Sequence, residues 1–345
     1  MLHRISHASG FVRPILSVRA SNSFSGHATT GIPLHTVLRG VKRADSFGNE
    51  PMNSLTPVSV LIPAKNEARN LARCLAPLRG WADEIVVADS FSTDEGAAIA
   101  ESYGAKVVQF SYLGGWPKKR QAILDSFPFR NEWILLLDAD EILLDPIQRE
   151  IGEAIRAKNF DGYWLRFQIH FLGRQLRFGD TQLWKLSLFR KGRGRYEKRL
   201  ESQDLSMSDV EVHEHVVATG KIGRLNNPVR HDNWNSLDRY IHKHNEYSNW
   251  EARVYREGCV GELRPALWGS QAQRRRWLKR ALLWVPGSPL LLFIYKYAVR
   301  LGVLDGVPGL LYCCFQAIQV FHVKSKVYEL ESLSSHSLEG GSNSS

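Results

Sequence analysis

The run Trp133-Ile134-Leu135-Leu136-Leu137 stops abruptly at Asp138-Ala139-Asp140-Glu141. Five apolar residues with no polar relief read as a strand buried on both faces, and such strands belong in sheets covered by helices on either side. The carboxylates then emerge where the chain leaves the sheet. In extended backbone residues i and i+2 project to the same side, so Asp138 and Asp140 face one ligand while Ala139 packs behind them. Hard oxygen donors of this kind suit Mg²⁺ or Mn²⁺, completed by waters and by phosphate oxygens of a substrate. The plainer alternative is a turn or helix start whose acids cap backbone amides.

The residues upstream repeat a strand and helix pattern. Val58 to Ile62 is a β-branched run stopped by Pro63, and Leu71, Cys74, Leu75 and Leu78 follow at helical spacing within 67–78. Glu84 to Ala88 gives a second strand ending at Asp89; Ser90-Phe91-Ser92-Thr93-Asp94 supplies caps for a helix to about Tyr103, closed by Gly104. Ala105 to Phe110 reads as a third strand, Lys118 to Phe127 as a helix and Trp133 to Leu137 as the fourth strand. The fold class expected is α/β, a Rossmann-like, mostly parallel sheet flanked by helices. Sheets of this kind bind ligands beyond the carboxyl ends of their strands, where Pro63 to Glu67, Asp89 and Asp138 to Glu141 all fall.

The ordered set Val58-Ser59-Val60-Leu61-Ile62-Pro63-Ala64-Lys65-Asn66-Glu67, then Asp83-Glu84-Ile85-Val86-Val87-Ala88-Asp89-Ser90-Phe91-Ser92-Thr93-Asp94, then Asp138-Ala139-Asp140-Glu141, resembles the inverting family 2 glycosyltransferases of the GT-A fold. Within them it is similar to the lipopolysaccharide core glucosyltransferases. Gly173-Arg174, Leu188-Phe189-Arg190-Lys191-Gly192, Val212-His213-Glu214-His215-Val216, Leu225-Asn226-Asn227-Pro228 and His231 extend the likeness to roughly residues 57–325. Two departures stand out: Phe91 where the family usually has Gly, and Ser187 where many relatives have Arg. The resemblance implies that Pro63, Asn66 and Glu67 line the base and ribose end of a nucleotide-sugar and that Asp89 contacts the uracil or ribose. It also implies that Asp138 approaches ribose and metal, and that Asp140 is the direct metal ligand bridging to the diphosphate.

Lys119 and Arg120 open the helix after the third strand; they either pair with phosphate oxygens or form a solvated basic helix end. An inverting transfer needs a base beside the acceptor hydroxyl. Glu214 is the first candidate, on a strand that turns it away from His213 and His215, and Asp180 in Phe178-Gly179-Asp180-Thr181 competes with it. The His-Glu-His triplet is not the helical zinc pattern and has a purely structural alternative. His231 is a further candidate for the metal or diphosphate site.

Composition limits the other possibilities. The 345 residues hold 43% hydrophobic residues, enough for one catalytic domain and an accessory region. The four cysteines include no C-x-x-C pair, which reads as free thiols in a reducing compartment. Of the net charge of +10, residues 1–56 contribute +4, and the remaining basic residues are dispersed without an aromatic platform, so no nucleic-acid partner is expected. Residues 1–56 read as a disordered extension with a start at Met52, 57–235 as the catalytic domain, 236–325 as a helical C-terminal region and 326–345 as a disordered tail. Residues 281–299 are nearly long enough to span a bilayer but carry Pro286-Gly287-Ser288-Pro289 and Lys296, and 307–323 carry Gln316 and Gln319. With Arg274-Arg275-Arg276 preceding them, and Trp277, Trp284 and Tyr295 near the interface, they fit a peripheral or monotopic contact with an anionic leaflet; helices packed as ordinary core are the alternative.

The chain is therefore expected to be a metal-dependent transferase moving a sugar, with UDP-glucose preferred as donor, to a lipopolysaccharide core or other lipid-linked acceptor, at the cytoplasmic face of the inner membrane or in the cytoplasm. A sugar nucleotidyltransferase and a non-catalytic membrane-bound scaffold are the alternatives. Against the first, no Gly-rich phosphate loop follows the first strand.

Overall fold

The computed structural model describes residues 16–18, 55–201, 203, 208–211, 214–233, 236–258 and 261–340. The chain runs β1 (Leu16–Val18), β2 (Thr56–Ala64), α1 (Ala68–Leu75), β3 (Ala82–Asp89), α2 (Gly96–Ser102), β4 (Lys106–Phe110), α3 (Lys119–Ser126), β5 (Trp133–Leu136), β6 (Glu141–Ile142) and α4 (Asp145–Ala157). Then follow β7 (Gly162–Phe171), β8 (Arg174–Gln175), β9 (Leu183–Arg190), β10 (Gly194–Tyr196), β11 (Val216–Ala218) and β12 (Ile222–Asn233). The helices α5 (Leu237–Glu257), α6 (Gln271–Trp284), α7 (Ser288–Ile294) and α8 (Gly306–Gly340) complete it.

One large sheet has the order β1-β4-β3-β2-β5-β9-β7-β12-β6. Its β4-β3-β2-β5 half is parallel, as the strand and helix alternation requires, and antiparallel β9 and β7 extend it past β5. The period of two sorts the core onto its two faces. Val58, Val60, Ile62, Ile85, Val87 and Leu135 face α1 and α4, meeting Leu71, Leu75, Ile147 and Ile151; Leu61, Val86, Ala88, Ile134 and Leu136 face α3, meeting Ile123, Phe129 and Phe189. Each such side chain fully buried contributes about 1.5–3 kcal/mol, so the parallel half is the rigid part of the molecule.

Three differences from the sequence reading concern order. Leu16–Val18, within the expected disordered extension, pair antiparallel with β4, while Met52 lies outside the described residues. The strand expected around 212–216 starts only at Val216, with Glu214 and His215 in the loop before it and His213 outside the described residues. At the other end α8 continues helically through Gly340, so 326–340 is not a disordered tail.

The C-terminal helices are joined to the sheet at two places. Phe171, the last residue of β7, sits edge-on to Tyr240 of α5 and to Tyr312 and Phe315 of α8, with ring centroids 5.4, 5.7 and 6.3 Å away. Arg276 of α6 reaches Glu197, just after β10, with both guanidinium nitrogens; the two side chains are almost wholly buried. Burial opposes the Glu197 charge, but the Arg276 hydrogen bonds outweigh it and hold the carboxyl below its ordinary 4.5. A carboxyl lowered in the folded state stabilises fully above its unfolded value and loses that contribution as pH falls through the folded one. Stability should therefore drop in the acid range below 4.5. In Glu197→Gln, which strands a buried guanidinium at a cost of about 3–5 kcal/mol, that part of the acid dependence disappears; urea unfolding against pH measures both effects.

Candidate active site

A cavity of about 1230 Å³ opens at the carboxyl ends of the parallel strands and runs on beneath α5, α6 and α8. It exceeds the usual few hundred to a thousand Å³ of a single small-ligand site, so there is room for two substrates. Pro63, Asn66, Glu67, Lys119, Arg120, Asp138, Asp140, Asp180, Glu214 and His231 all line it. Asp89 does not: it is buried beneath the adjoining turn, accepting hydrogen bonds from the Ser92 amide and hydroxyl, and so shapes that turn instead of touching its contents.

The acidic segment after β5 is a turn and not an extension of the strand. The Asp138 amide donates to Glu141 Oε2 at 2.8 Å and the Glu141 amide donates back to the Asp138 carbonyl at 2.9 Å. Glu141 then pairs with His231 in the β6–β12 register, and the Asp232 amide donates to the Asp140 carbonyl. That register puts the His231 ring between two acids: Nδ1 lies 3.2 Å from Glu141 and Nε2 3.8 Å from Asp140. Burial opposes the imidazolium, but the two carboxylates prevail and raise its pKa.

Asp138 is not an open metal donor here. One oxygen pairs with Arg120, and the other lies 2.9 Å from Lys185, whose ammonium also reaches Glu141 at 2.6 Å. Burial works against the Asp138 charge, but the two cations hold its pKa well below the carboxylate range. Lys185 carried no sequence signal. It lies two residues before Ser187 on β9, across a register irregularity, and both residues line the cavity, so Lys185 supplies a cation to the same wall.

The alternative of a solvated basic helix end is overturned. Lys118 and Lys119 are fully buried and Arg120 nearly so. Lys118 pairs with Glu214 at 3.0 Å, Lys119 with Asp209 at 3.2 Å, and Arg120 lies between Asp138 and Glu211. Glu211 also caps α3, accepting the amides of Arg120 and Gln121 at 3.1 and 2.8 Å. Glu214 is thus a wholly buried counter-ion, whereas the Asp180 carboxylate is about a third exposed, flanked at 3.9 Å by Arg275 and Arg300. Gly179 and Asp180 both take positive φ, +71° and +59°, which aims that loop at the cavity.

At the β2 end of the cavity Arg239 of α5 donates to the carbonyls of Lys65 and Asn66 and pairs with Glu67 at 2.9 Å. The Asn66 side chain accepts the Thr93 amide at 2.8 Å. Phe91 is exposed at the rim with φ +51°, a conformation that glycine would take without strain.

The Glycosyl transferase family 2 description matches residues 59–217. An uncharacterized glycosyltransferase of Rickettsia felis is 34% identical over 201 residues, 57% of this chain and 69% of the relative. The chain belongs to glycosyltransferase family 2. The lipopolysaccharide core biosynthesis glycosyltransferase LpsC of Rhizobium meliloti is 30% identical over 206 residues, 57% of this chain and 70% of LpsC. Among solved structures, S. aureus TarS 1-349 is 14% identical, with 80% of this chain and 91% of that one covered and a TM-score of 0.38, too distant a likeness to carry function.

Removing Arg120 should expose the cost of this electrostatic arrangement. In Arg120→Met, Asp138 and the buried Glu211 lose their shared cation, and about 3–5 kcal/mol of stability should go with it. Lys185→Met, at a site one-third exposed to water, should cost only about 1 kcal/mol. Urea unfolding of both variants checks the order; equal losses would refute it.

Proposed function

We propose that this family 2 enzyme transfers a sugar, with inversion, from a nucleoside diphosphate sugar to a hydroxyl of a lipid-linked acceptor at a membrane surface. The observation that carries this reading is the acidic turn with Arg120 and Lys185 at the strand ends, inside a cavity that continues to a second compartment beneath the C-terminal helices. UDP-glucose is the preferred donor and a lipopolysaccharide core the preferred acceptor, the latter supported by the name of LpsC.

Among the described residues no three His, Cys, Asp or Glu side chains are grouped to hold a metal. Asp140 still fits a site for Mg²⁺ or Mn²⁺, because such ions are commonly held by one or two carboxylates with substrate phosphates and water completing the shell, and His231 would join it only after losing the proton that its two carboxylates favour. When bound, the ion would supply charge stabilisation to the departing diphosphate. The chain's own residues do the rest. Arg120 and Lys185 place positive charge where the diphosphate gains negative charge, and they are already fixed before it arrives. Asp180 holds the acceptor hydroxyl and accepts its proton as that oxygen attacks the anomeric carbon from the face opposite the nucleotide. Asp180 replaces Glu214 as the first choice of base because its carboxylate is about a third exposed, whereas the Glu214 side chain is wholly buried against Lys118.

The membrane contact rests on the surface of α6 to α8. Trp284, Leu290, Leu291, Val299, Val307 and Phe321 are all more than half exposed, a set of large apolar side chains that a membrane surface would cover. Arg274 and Arg280 are exposed on α6 and complement anionic headgroups. Gly302–Ser332 is long and apolar enough to cross a membrane, yet α8 lies against α5 over part of that length, which fits a helix lying along an interface.

Calorimetric titration of UDP with and without Mn²⁺ tests the donor site. Asp140→Asn should remove the metal dependence and cut transfer by about 10²–10³-fold in a protein that stays folded. Near-native turnover in that variant would overturn the assignment. Asp180→Asn should lower kcat by about 10²–10⁴-fold with UDP affinity unchanged. If Glu214→Gln gives that kinetic signature at unchanged stability instead, the base is Glu214.

A further inference from the structure

The C-terminal compartment of the cavity has its own chemistry. Its walls are Leu282 and Leu283 of α6, Leu292 of α7 and Val320 and Val323 of α8, and Arg275 and Lys296 reach into it. Lys296 is the unexpected member. It interrupts an apolar stretch at the π-helical turn Tyr295–Val299, a kind of helix distortion frequently found at functional sites. Its side chain is half-buried, with the ammonium 3.3 Å from the Gly179 carbonyl and 6.0 Å from the centre of the Tyr312 ring. Burial pushes its pKa down, and the partial counter-charge of Asp180 does not restore it.

The charges do not balance locally. Glu251 takes Lys279 at 2.7 Å and Glu246 lies 3.4 Å from His242, so the carboxylate beside Arg275 and Lys296 is Asp180, which Arg300 also approaches from outside the cavity lining. Two cations against one carboxylate leave surplus positive charge in a partly enclosed apolar space. Such a space favours an anion that brings its own hydrocarbon: free phosphate would fill the charge but not the walls, and a neutral lipid would fill the walls but not the charge.

We infer that this compartment is an acceptor subsite for an anionic amphiphile, with Arg275 and Lys296 binding a phosphate or carboxylate of the acceptor and Leu282, Leu283, Leu292, Val320 and Val323 covering the first part of its lipid. The inference deepens the transferase reading above and rests on it for the word acceptor. It gives Asp180 a neighbour with a purpose: an anion drawn to Arg275 and Lys296 competes for the same cations and leaves the Asp180 carboxylate beside the bound acceptor. It also gives the exposed apolar surface of α6 to α8 a continuous path to the reaction.

The test titrates the full chain by calorimetry with dihexanoyl phosphatidic acid, dihexanoyl phosphatidylcholine and inorganic phosphate, each lipid kept below its micelle concentration, and with UDP as a separate ligand. The phosphatidic acid should bind saturably and at least about tenfold more tightly than either control. Lys296→Met and Arg275→Met should each weaken it by about tenfold or more, Lys296→Arg should restore most of the affinity, and UDP affinity should not change in any of them. Equal binding of phosphatidylcholine would reduce the compartment to a greasy surface, and equal binding of inorganic phosphate would reduce it to an anion site; either overturns the inference, as does full affinity in Lys296→Met. Retained UDP binding shows that a variant is folded. Absence of UDP binding by the unaltered chain would count against the transferase reading while leaving the lipid result to be read on its own.

Discussion

Lys118, Lys119 and Arg120 carry three consecutive positive charges into the interior at the start of α3, the end of a helix where the backbone dipole opposes cations. Each such ion costs several kcal/mol to strip of water unless a partner is fixed beside it. The partners come from one short segment, Asp209, Glu211 and Glu214, and from the acidic turn through Asp138. That requirement ties the far loop, the helix and the carboxyl edge of the sheet into one body. Trp250 of α5 adds its ring 5.3 Å from the Lys118 ammonium, so the helical region joins the same arrangement.

Much of the sheet was legible because its causes are local. The apolar runs at 58–62, 84–88, 105–110 and 133–137 are strands to within two residues, and the helices between them begin and end close to where the capping and Gly signals fall. The strand ends then had to bring Pro63, Asn66, Glu67 and the Asp138 to Glu141 segment together. Residues whose place depends on distant pairing were harder. Glu211 caps a helix 91 residues earlier, and nothing in either stretch announces the other. His231 was a candidate from the sequence, but its place against Glu141 comes from the pairing of β12 with the two-residue β6, too short to show a period. The His-Glu-His triplet read as alternating strand faces, whereas Glu214 and His215 precede β11 and Glu214 pairs with Lys118, a partner 96 residues earlier that no local pattern announces.

The C-terminal region was legible as helices and not as part of the site. Its pattern of apolar runs, Pro and basic residues says amphipathic and interrupted, but only the fold shows that Arg239 grips the loop after β2 and that Arg276 is buried against Glu197. Arg276 reads in sequence as one member of a surface-seeking Arg triplet. In the structure the triplet divides: Arg274 faces solvent, Arg275 lines the cavity, and Arg276 is a structural ion.

The loop that carries Asp180 belongs mechanically to the helices and not to the sheet. The Gly179 amide donates to the Arg300 carbonyl at 2.8 Å, and the Asp305 carboxylate accepts the amides of Arg177 and Phe178. The acidic turn, in contrast, is welded to β2, β5 and β12. The two halves of the proposed reaction centre therefore ride on separate supports, like the jaws of a vice, and the seating of α5 to α8 on the Phe171 and Glu197 contacts sets the gap between them.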